Sequence, residues 1–387
     1  MQSKAKKNTI YSSFVNAFFL PFTIVLGYVY KSKNTKFKNF FALNVNIDKY
    51  EEQAQLVKEL GCNDLMIRIP LSDINNLLKY KEFVESFKGK NITLNIIQDR
   101  ENIEDKKLLR ENITLIFSTF KGICNNYQIG NATNENKWGF FSISEYLEFF
   151  TIVQSIRNEK FQNNILIGSS VKGFDLKSTL RTMFNKFAMK FDKVSALLYV
   201  DKQGFPENPQ KITFDLIKQI NTIYAIATLA IKAKNDVIIS EASWHIKEQK
   251  EANENAVSEE DYANYMVRYY MLALGTKKIQ SVYWFQLVSS TFGLTYVKKG
   301  KLEKRKAFYA FKTMIDFLDN CKVEKYSDAS GLHVLTCTNN KGKKLDIVWT
   351  QKEEPVELTD FKKVYDVFGE EMTKDIKITQ SPIYAYH

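Results

Sequence analysis

Val237-Ile238-Ile239-Ser240-Glu241, then Ser258-Glu259-Glu260-Asp261-Tyr262 running on to Gly275, then Ile279-Gln280-Ser281-Val282-Tyr283-Trp284-Phe285: the fold turns on this stretch. A short apolar run rich in β-branched residues reads as a strand. Ser258 with Asp261 three residues on makes a capping box, and Glu259 and Glu260 favour the positive end of a helix dipole. Gly275 stands where a helix-ending glycine belongs. Between them Tyr262, Tyr265, Met266, Tyr269 and Leu272 recur at helical spacing along one face. A second strand-like run follows at once. Strand, helix, strand in that order is the repeat of a parallel sheet.

The same unit recurs outward in both directions. Further strand-like runs are Phe41 to Asn46, Leu65 to Ile69, Ile92 to Ile97, Ile123 to Ile129, Ile165 to Gly168 and Val194 to Val200. Each precedes an amphipathic stretch of helix length. After the first run, Asp48 reads as an N-cap, Ala54, Val57 and Leu60 as an apolar face, and Gly61 as the C-terminal stop. After the last, Phe308, Phe311, Met314, Ile315 and Leu318 make the inward face. Several runs are continuously apolar, as strands covered on both faces must be. Eight such units predict a (β/α)8 TIM barrel in the α/β class. An open nucleotide-binding sheet loses its main support, because no GxGxxG or GxxxxGK[ST] loop follows the first strand.

Past about residue 322 the pattern changes to short strands at Leu332–Cys337, Leu345–Trp349, Val364–Val367 and Ile383–Tyr386. Turns are expected at Asn339-Asn340-Lys341-Gly342 and at Phe368-Gly369. The expected organisation is an apolar segment over 1–38, a barrel over 39–321 and a small β domain over 322–387.

Composition excludes several classes. A barrel takes about 250 residues, so 387 residues leave room for the appended sheet. The cysteines at 62, 124, 321 and 337 show no CxxC spacing, and the histidines are only His245, His333 and His387. No metal site and no cofactor are expected. Neither internal histidine lies beside a GxSxG serine, which argues against a Ser-His-Asp triad. The net charge of +11 is spread along the chain, with no basic run interleaved with aromatic platforms, so nucleic acid is not an expected partner.

Residues 14–30 are apolar, with Lys4, Lys6 and Lys7 before them and Lys31, Lys33, Lys36 and Lys38 after. The stretch is at the lower limit for spanning a bilayer, about 17 residues, and contains Asn16, Pro21 and Gly27. No small-x-small cleavage site follows, which disfavours a cleaved signal peptide. Two readings stand: a membrane anchor or interfacial segment, or a segment packed on the barrel's N-terminal face. They imply a membrane-associated protein, on either side of the membrane, or a cytoplasmic one.

Barrel chemistry is built at the C-terminal ends of the strands. The residues there are Asn44 and Asn46; Arg68; Gln98-Asp99-Arg100-Glu101; Asn131 through Trp138; Tyr199 and Asp201; Glu241; and Trp284 and Gln286. Amides and carboxylates hydrogen-bond sugar hydroxyls, and aromatic rings stack on pyranose faces. A carbohydrate, oligo- or polysaccharide, is therefore the expected ligand. Taken singly, each of these residues reads equally well as a satisfied loop contact.

These residues together resemble the clan A glycoside hydrolases. Ile238-Ile239-Ser240-Glu241-Ala242-Ser243-Trp244 is similar to the strand-seven signature ending in the nucleophile. The resemblance implies that Glu241 is a retaining nucleophile, Tyr199 its hydrogen-bond partner, Arg68 its orienting arginine and Trp284 the floor of the sugar site. Asn44, Gln98, Asn131, Trp138, Asp201 and Gln286 fall among the implied substrate-binding residues. Ser381-Pro382-Ile383-Tyr384 is similar to the last strand of the β domain often appended to these barrels.

One departure matters. The clan ends strand four with Asn-Glu, the Glu being the acid/base, whereas here Ala132 follows Asn131. The segment Gln128-Ile129-Gly130-Asn131-Ala132-Thr133-Asn134-Glu135-Asn136-Lys137-Trp138-Gly139 looks closer to a bacterial subgroup connected with surface polysaccharide or lipopolysaccharide. Two functions follow. One is a glycosidase whose acid has moved, to Glu135 or to Glu207. The other is a glycan-binding pseudoenzyme.

Overall fold

The computed structural model describes residues 2–387 except 31, 33–34, 48–51, 203, 211–212, 231, 234–235, 248–253, 353–355, 358–360 and 374–375. Eight strands close into a barrel in sequence order. They are β1 (Phe41–Val45), β2 (Asp64–Pro70), β3 (Asn91–Ile97), β4 (Asn126–Ile129), β5 (Ile165–Lys172), β6 (Lys193–Leu197), β7 (Val237–Ala242) and β8 (Ile279–Trp284). The ladders from β3 to β7, and between β1 and β8, are parallel. Every residue of β1 and of β7 is buried, which is why these strands are apolar apart from Asn44 and the Ser240-Glu241 pair near their C-terminal ends.

A helix, α1 (Gln2–Val29), precedes the barrel. The barrel helices are α2 (Gln53–Leu60), α3 (Leu77–Ser86), α4 (Arg100–Glu104), α5 (Lys106–Thr119), α6 (Ile143–Lys160), α7 (Leu176–Met183), α8 (Leu216–Leu229), α9 (Glu259–Thr276) and α10 (Lys306–Leu318). Of the expected helix-end residues, Gly61 and Ser258 are found in place and Gly275 is not. Gly61 closes α2 at φ 72° and donates its N–H to the Lys58 carbonyl. Ser258 Oγ accepts the Asp261 N–H at 3.0 Å and donates to the Asp261 carboxylate at 2.8 Å. Asp48 lies outside the described residues.

Gly275 is the exception. It lies inside α9, and the left-handed residue that ends the helix is Lys277 at φ 59°. Gly275 is needed for closeness instead, since a Cβ there would meet Tyr326 at 3.0 Å.

By its contacts the chain forms two compact units, residues 1–31, 65–199 and 218–241, and residues 32–64, 200–217 and 242–387. In the first, α1 packs through Phe19 on Phe184, the residue that follows α7, their rings stacked at 4.1 Å. A Cβ on Gly27 would lie 3.1 Å from the α8 backbone at Asn221. The packed reading of residues 14–30 therefore finds its partners in α7 and α8. No helix among the described residues is long and apolar enough to cross a membrane.

In the second unit an antiparallel sheet of six strands runs from Lys322 to Tyr386, with Ile383–Tyr386 paired between Lys344–Thr350 and Lys363–Tyr365. One face buries Val348, Val364, Ile383 and Ala385. On the other, Tyr384 packs edge-on to Phe317 of α10 at 5.1 Å. The expected turns are present: Asn339 Oδ1 accepts the N–H groups of Lys341 and Lys343 at 3.0 Å, and Gly342 and Gly369 take positive φ.

Candidate active site

Glu241 is the penultimate residue of β7 and only 3% exposed. β7 carries a bulge opposite β6: Ala196 faces Ile239 while Leu197 faces Glu241, which leaves Ser240 as the extra residue. A bulge at a strand end re-aims the side chain that follows it. Both carboxylate oxygens are held. Arg68 of β2 donates to Oε1 as an ion pair, and the Tyr199 hydroxyl donates to Oε2 at 2.8 Å. Burial would lower the Arg68 pKa, but the charges of Glu241 and Tyr199 outweigh it and raise it, so the guanidinium stays charged.

The end of β4 is built for a different task. Gly130 takes φ 81°, and a Cβ there would press on Tyr146 at 3.2 Å and Thr133 at 3.3 Å. The Gln98 side chain clamps the main chain on both sides of the turn. Its Oε1 accepts the Asn131 N–H at 2.9 Å, and its Nε2 donates to the carbonyls of Asn131 and Trp138, both at 2.8 Å. Asn131 Oδ1 accepts from Asn95 Nδ2 at 3.1 Å, which fixes the rotation of the Asn131 amide. Gln98 thus positions Asn131 through the backbone.

Ala132, at the acid position, is buried and sits in the left-handed region at φ 46°. The next residue, Thr133, is pinned to a bulge in β5: its N–H donates to the Ser170 carbonyl at 3.2 Å, and its hydroxyl to the Ser169 carbonyl at 2.7 Å. Ser169 and Ser170 themselves take positive φ. Such backbone is costly for residues other than glycine and gathers at functional sites.

Asn134 and Glu135 turn toward the end of β5. Asn134 Oδ1 accepts the Lys172 N–H at 2.8 Å, and Nδ2 returns to the Lys172 carbonyl at 3.1 Å. The Glu135 carboxylate pairs with Lys172 at 3.3 Å and Lys137 at 3.4 Å, and accepts the Trp138 indole N–H at 3.2 Å. Partial burial would raise its pKa, but the two ammonium groups outweigh burial and hold it below the usual carboxylate range. A carboxyl so held is ionised at neutral pH and has no proton to give.

The remaining predicted residues belong to the second unit. Trp284 is fully buried, 0% exposed, in a cluster with Trp244, Tyr262, Tyr269 and Tyr270. Its indole N–H donates to the Tyr262 hydroxyl at 2.6 Å. Both flat faces of the ring are thus covered by protein. Asn44 Nδ2 donates to the carbonyl of Tyr283 in β8 at 3.4 Å. Gln286 Oε1 accepts from Asn46 Nδ2, and Asp201 is half-buried.

Glu207 is fully engaged within the second unit. Arg268 of α9 grips it at 2.8 and 2.5 Å, and the Trp349 indole donates at 2.7 Å. Sequence reasoning missed this ion pair: Arg268 falls inside the α9 repeat, and only the fold brings residues 207, 268 and 349 together. Among the described residues, no group of three His, Cys, Asp or Glu side chains could hold a metal ion.

No family model matches the chain, and no curated protein matches it in sequence. Solved structures do match in fold. A family 39 glycoside hydrolase from the gut symbiont Bacteroides cellulosilyticus superposes with a TM-score of 0.69 at 13% identity, over 90% of this chain and 81% of that one. A family 39 β-xylosidase from Caulobacter crescentus gives 0.63 at 10% identity, over 91% and 97%. SrfJ from Salmonella typhimurium gives 0.59 at 8% identity, over 92% and 90%. The chain shares the fold of these structures, and its closed eight-stranded barrel followed by a β sheet is the architecture that its residues led us to expect.

Proposed function

We propose that this chain is a glycoside-processing enzyme that works by a retaining route with Glu241 as nucleophile. The observation that carries the reading is the buried Glu241 carboxylate held on both oxygens, by Arg68 and by Tyr199. Arg68 supplies the opposite charge beside the buried carboxylate, and the Tyr199 hydroxyl fixes its rotation. In a retaining displacement the nucleophile attacks the anomeric carbon, the leaving oxygen departs, and a covalent glycosyl-enzyme forms. Asn131 presents its amide nitrogen as a donor for a sugar hydroxyl. The carbohydrate-active neighbours support a sugar substrate. The resemblance of the Gln128–Gly139 segment favours a bacterial surface polysaccharide or lipopolysaccharide glycan.

Ala132 limits what such an enzyme can cleave. It carries no proton, and Glu135 is held ionised by Lys172 and Lys137. The preferred donors are therefore glycosides whose leaving group departs without protonation. The test is a panel of dinitrophenyl glycosides together with a fluoro-sugar that traps the glycosyl-enzyme. Turnover, and mass labelling at Glu241 that Glu241→Gln abolishes, is the expected outcome. Loss of activity by a factor of at least about 10³ follows from removing the nucleophile.

The second reading is a glycan-binding pseudoenzyme, favoured by the same alanine. Retention on immobilised polysaccharide, with neither turnover nor labelling across the panel, would establish it and sink the enzyme reading.

A further inference from the structure

From Phe14 to Val29 α1 carries apolar residues on both sides, and only one side is covered. The inner side carries Val15, Phe19, Thr23 and Gly27, with Phe19 on Phe184 and Gly27 against α8. The outer side carries Phe14, Phe18, Phe22, Val25 and Val29, each between 53% and 65% exposed. Their spacing of four, four, three and four residues puts them in one stripe. The three phenyl rings stack in a ladder, Phe14 on Phe18 at 5.8 Å and Phe18 on Phe22 at 6.0 Å. With Tyr28, α1 holds six of the eleven large hydrophobic side chains that stand exposed among the described residues. The others are scattered at Leu78, Leu115, Phe141, Val297 and Tyr309, as isolated surface hydrophobics ordinarily are.

The charge around this stripe selects its partner. Residues 1–47 contain seven lysines and no Asp or Glu, the first acid being Asp48. A stretch of chain so basic is disfavoured against a second copy of itself. A lipid surface rich in anionic headgroups offers it opposite charge, and a lysine within a Debye length of such a surface contributes favourably. No described helix is long and apolar enough to cross the bilayer, so the contact is one of lying on the surface.

We propose that α1 docks this protein on an anionic membrane, with Phe14, Phe18, Phe22, Val25 and Val29 in the boundary between headgroups and acyl chains. An interfacial helix normally needs a polar face turned to water. Here the barrel helices α7 and α8 take that place, so this stretch of the helix can be apolar on both sides and still lie flat. The site is independent of Glu241 and stands whether the barrel cleaves a glycan or only binds one.

The test is co-sedimentation of the full chain with vesicles of phosphatidylglycerol and phosphatidylcholine in equal parts, beside vesicles of phosphatidylcholine alone. Binding to the anionic vesicles that weakens with added salt is expected. The triple variant Phe14→Ser, Phe18→Ser, Phe22→Ser should lower the partition by roughly a hundredfold while retaining the melting temperature, because three half-exposed rings lose their transfer into lipid. A Phe18→Trp variant gives a second reading, with its fluorescence quenched by brominated acyl chains. Protein left in the supernatant, equal binding to both vesicle types, or equal binding by the triple variant would each overturn the proposal. So would a dimer of the full chain that the triple variant dissolves, with no lipid bound by either.

Discussion

At the residue scale, three side chains, from β2, from just after β6 and from β7, set the character of the barrel's polar end. Glu241 is buried with both oxygens engaged, because Arg68 pairs with it and Tyr199 donates to it; a buried carboxylate without partners is costly. Glu135 is equally well paired, but with ammonium groups at the end of β5, and that pairing costs it the proton an acid must carry. Glu135→Gln should accordingly leave the rate on dinitrophenyl glycosides and on glycosides with poor leaving groups alike unchanged. The comparison of the two substrate classes checks it. A fall confined to the poor leaving groups would give Glu135 the acid role after all. Strand-end placement puts Arg68, Tyr199 and Glu241 among the candidates, and the resemblance implied that they meet. That Glu135 points to Lys172 was not legible in the sequence, because the Asn134 bonds that turn it involve a residue 38 positions away.

At the element scale, α9 does two jobs. Its buried face packs Tyr262, Tyr269 and Tyr270 around Trp284, and Arg268 ties it to Glu207 and Trp349. Arg268 is wholly buried and also lies over the Phe205 ring at 4.7 Å. Arg268→Leu strips the partner from a buried carboxylate, which typically costs about 3–5 kcal/mol. A urea melt of the variant should show that loss, and a double variant with Glu207→Leu should recover much of it. No recovery would mean that the arginine acts through packing alone. The α9 repeat itself was readable from its aromatic spacing and its Ser258 cap. Its end was misplaced by two residues, because Gly275 is small for the sake of Tyr326 and not for a left-handed stop.

For the whole molecule, the pH dependence of stability follows from a buried imidazole. His333 stacks on Trp349 at 5.0 Å and shares a hydrogen bond with the Tyr326 hydroxyl at 2.8 Å. Burial lowers its pKa below the ordinary value, more than Glu207 and Asp328 raise it. The unfolded chain, with an imidazole titrating near pH 6.5, then takes up a proton that the folded chain refuses. Stability is thus fully present above that pH and declines as pH falls through it. Melting temperature measured from about pH 8 down to about pH 5.5 should fall less steeply for His333→Gln than for the parent. Parallel slopes would remove His333 as the cause.

The sequence by itself determined the barrel, because a parallel strand buried on both faces must be apolar throughout and a helix packed on it must be apolar every third or fourth residue. The eight barrel strands, four of the six strands of the appended sheet and the Glu241 end of β7 follow from those local periodicities. What only the tertiary structure decided is which charges meet. Glu135 with Lys172, Glu207 with Arg268, the enclosure of Trp284 and the open side of α1 all depend on residues distant in the chain, and periodicity carries no record of partners. A carboxylate's role is set by its neighbours' charge and by its distance from water, and both are properties of the folded chain.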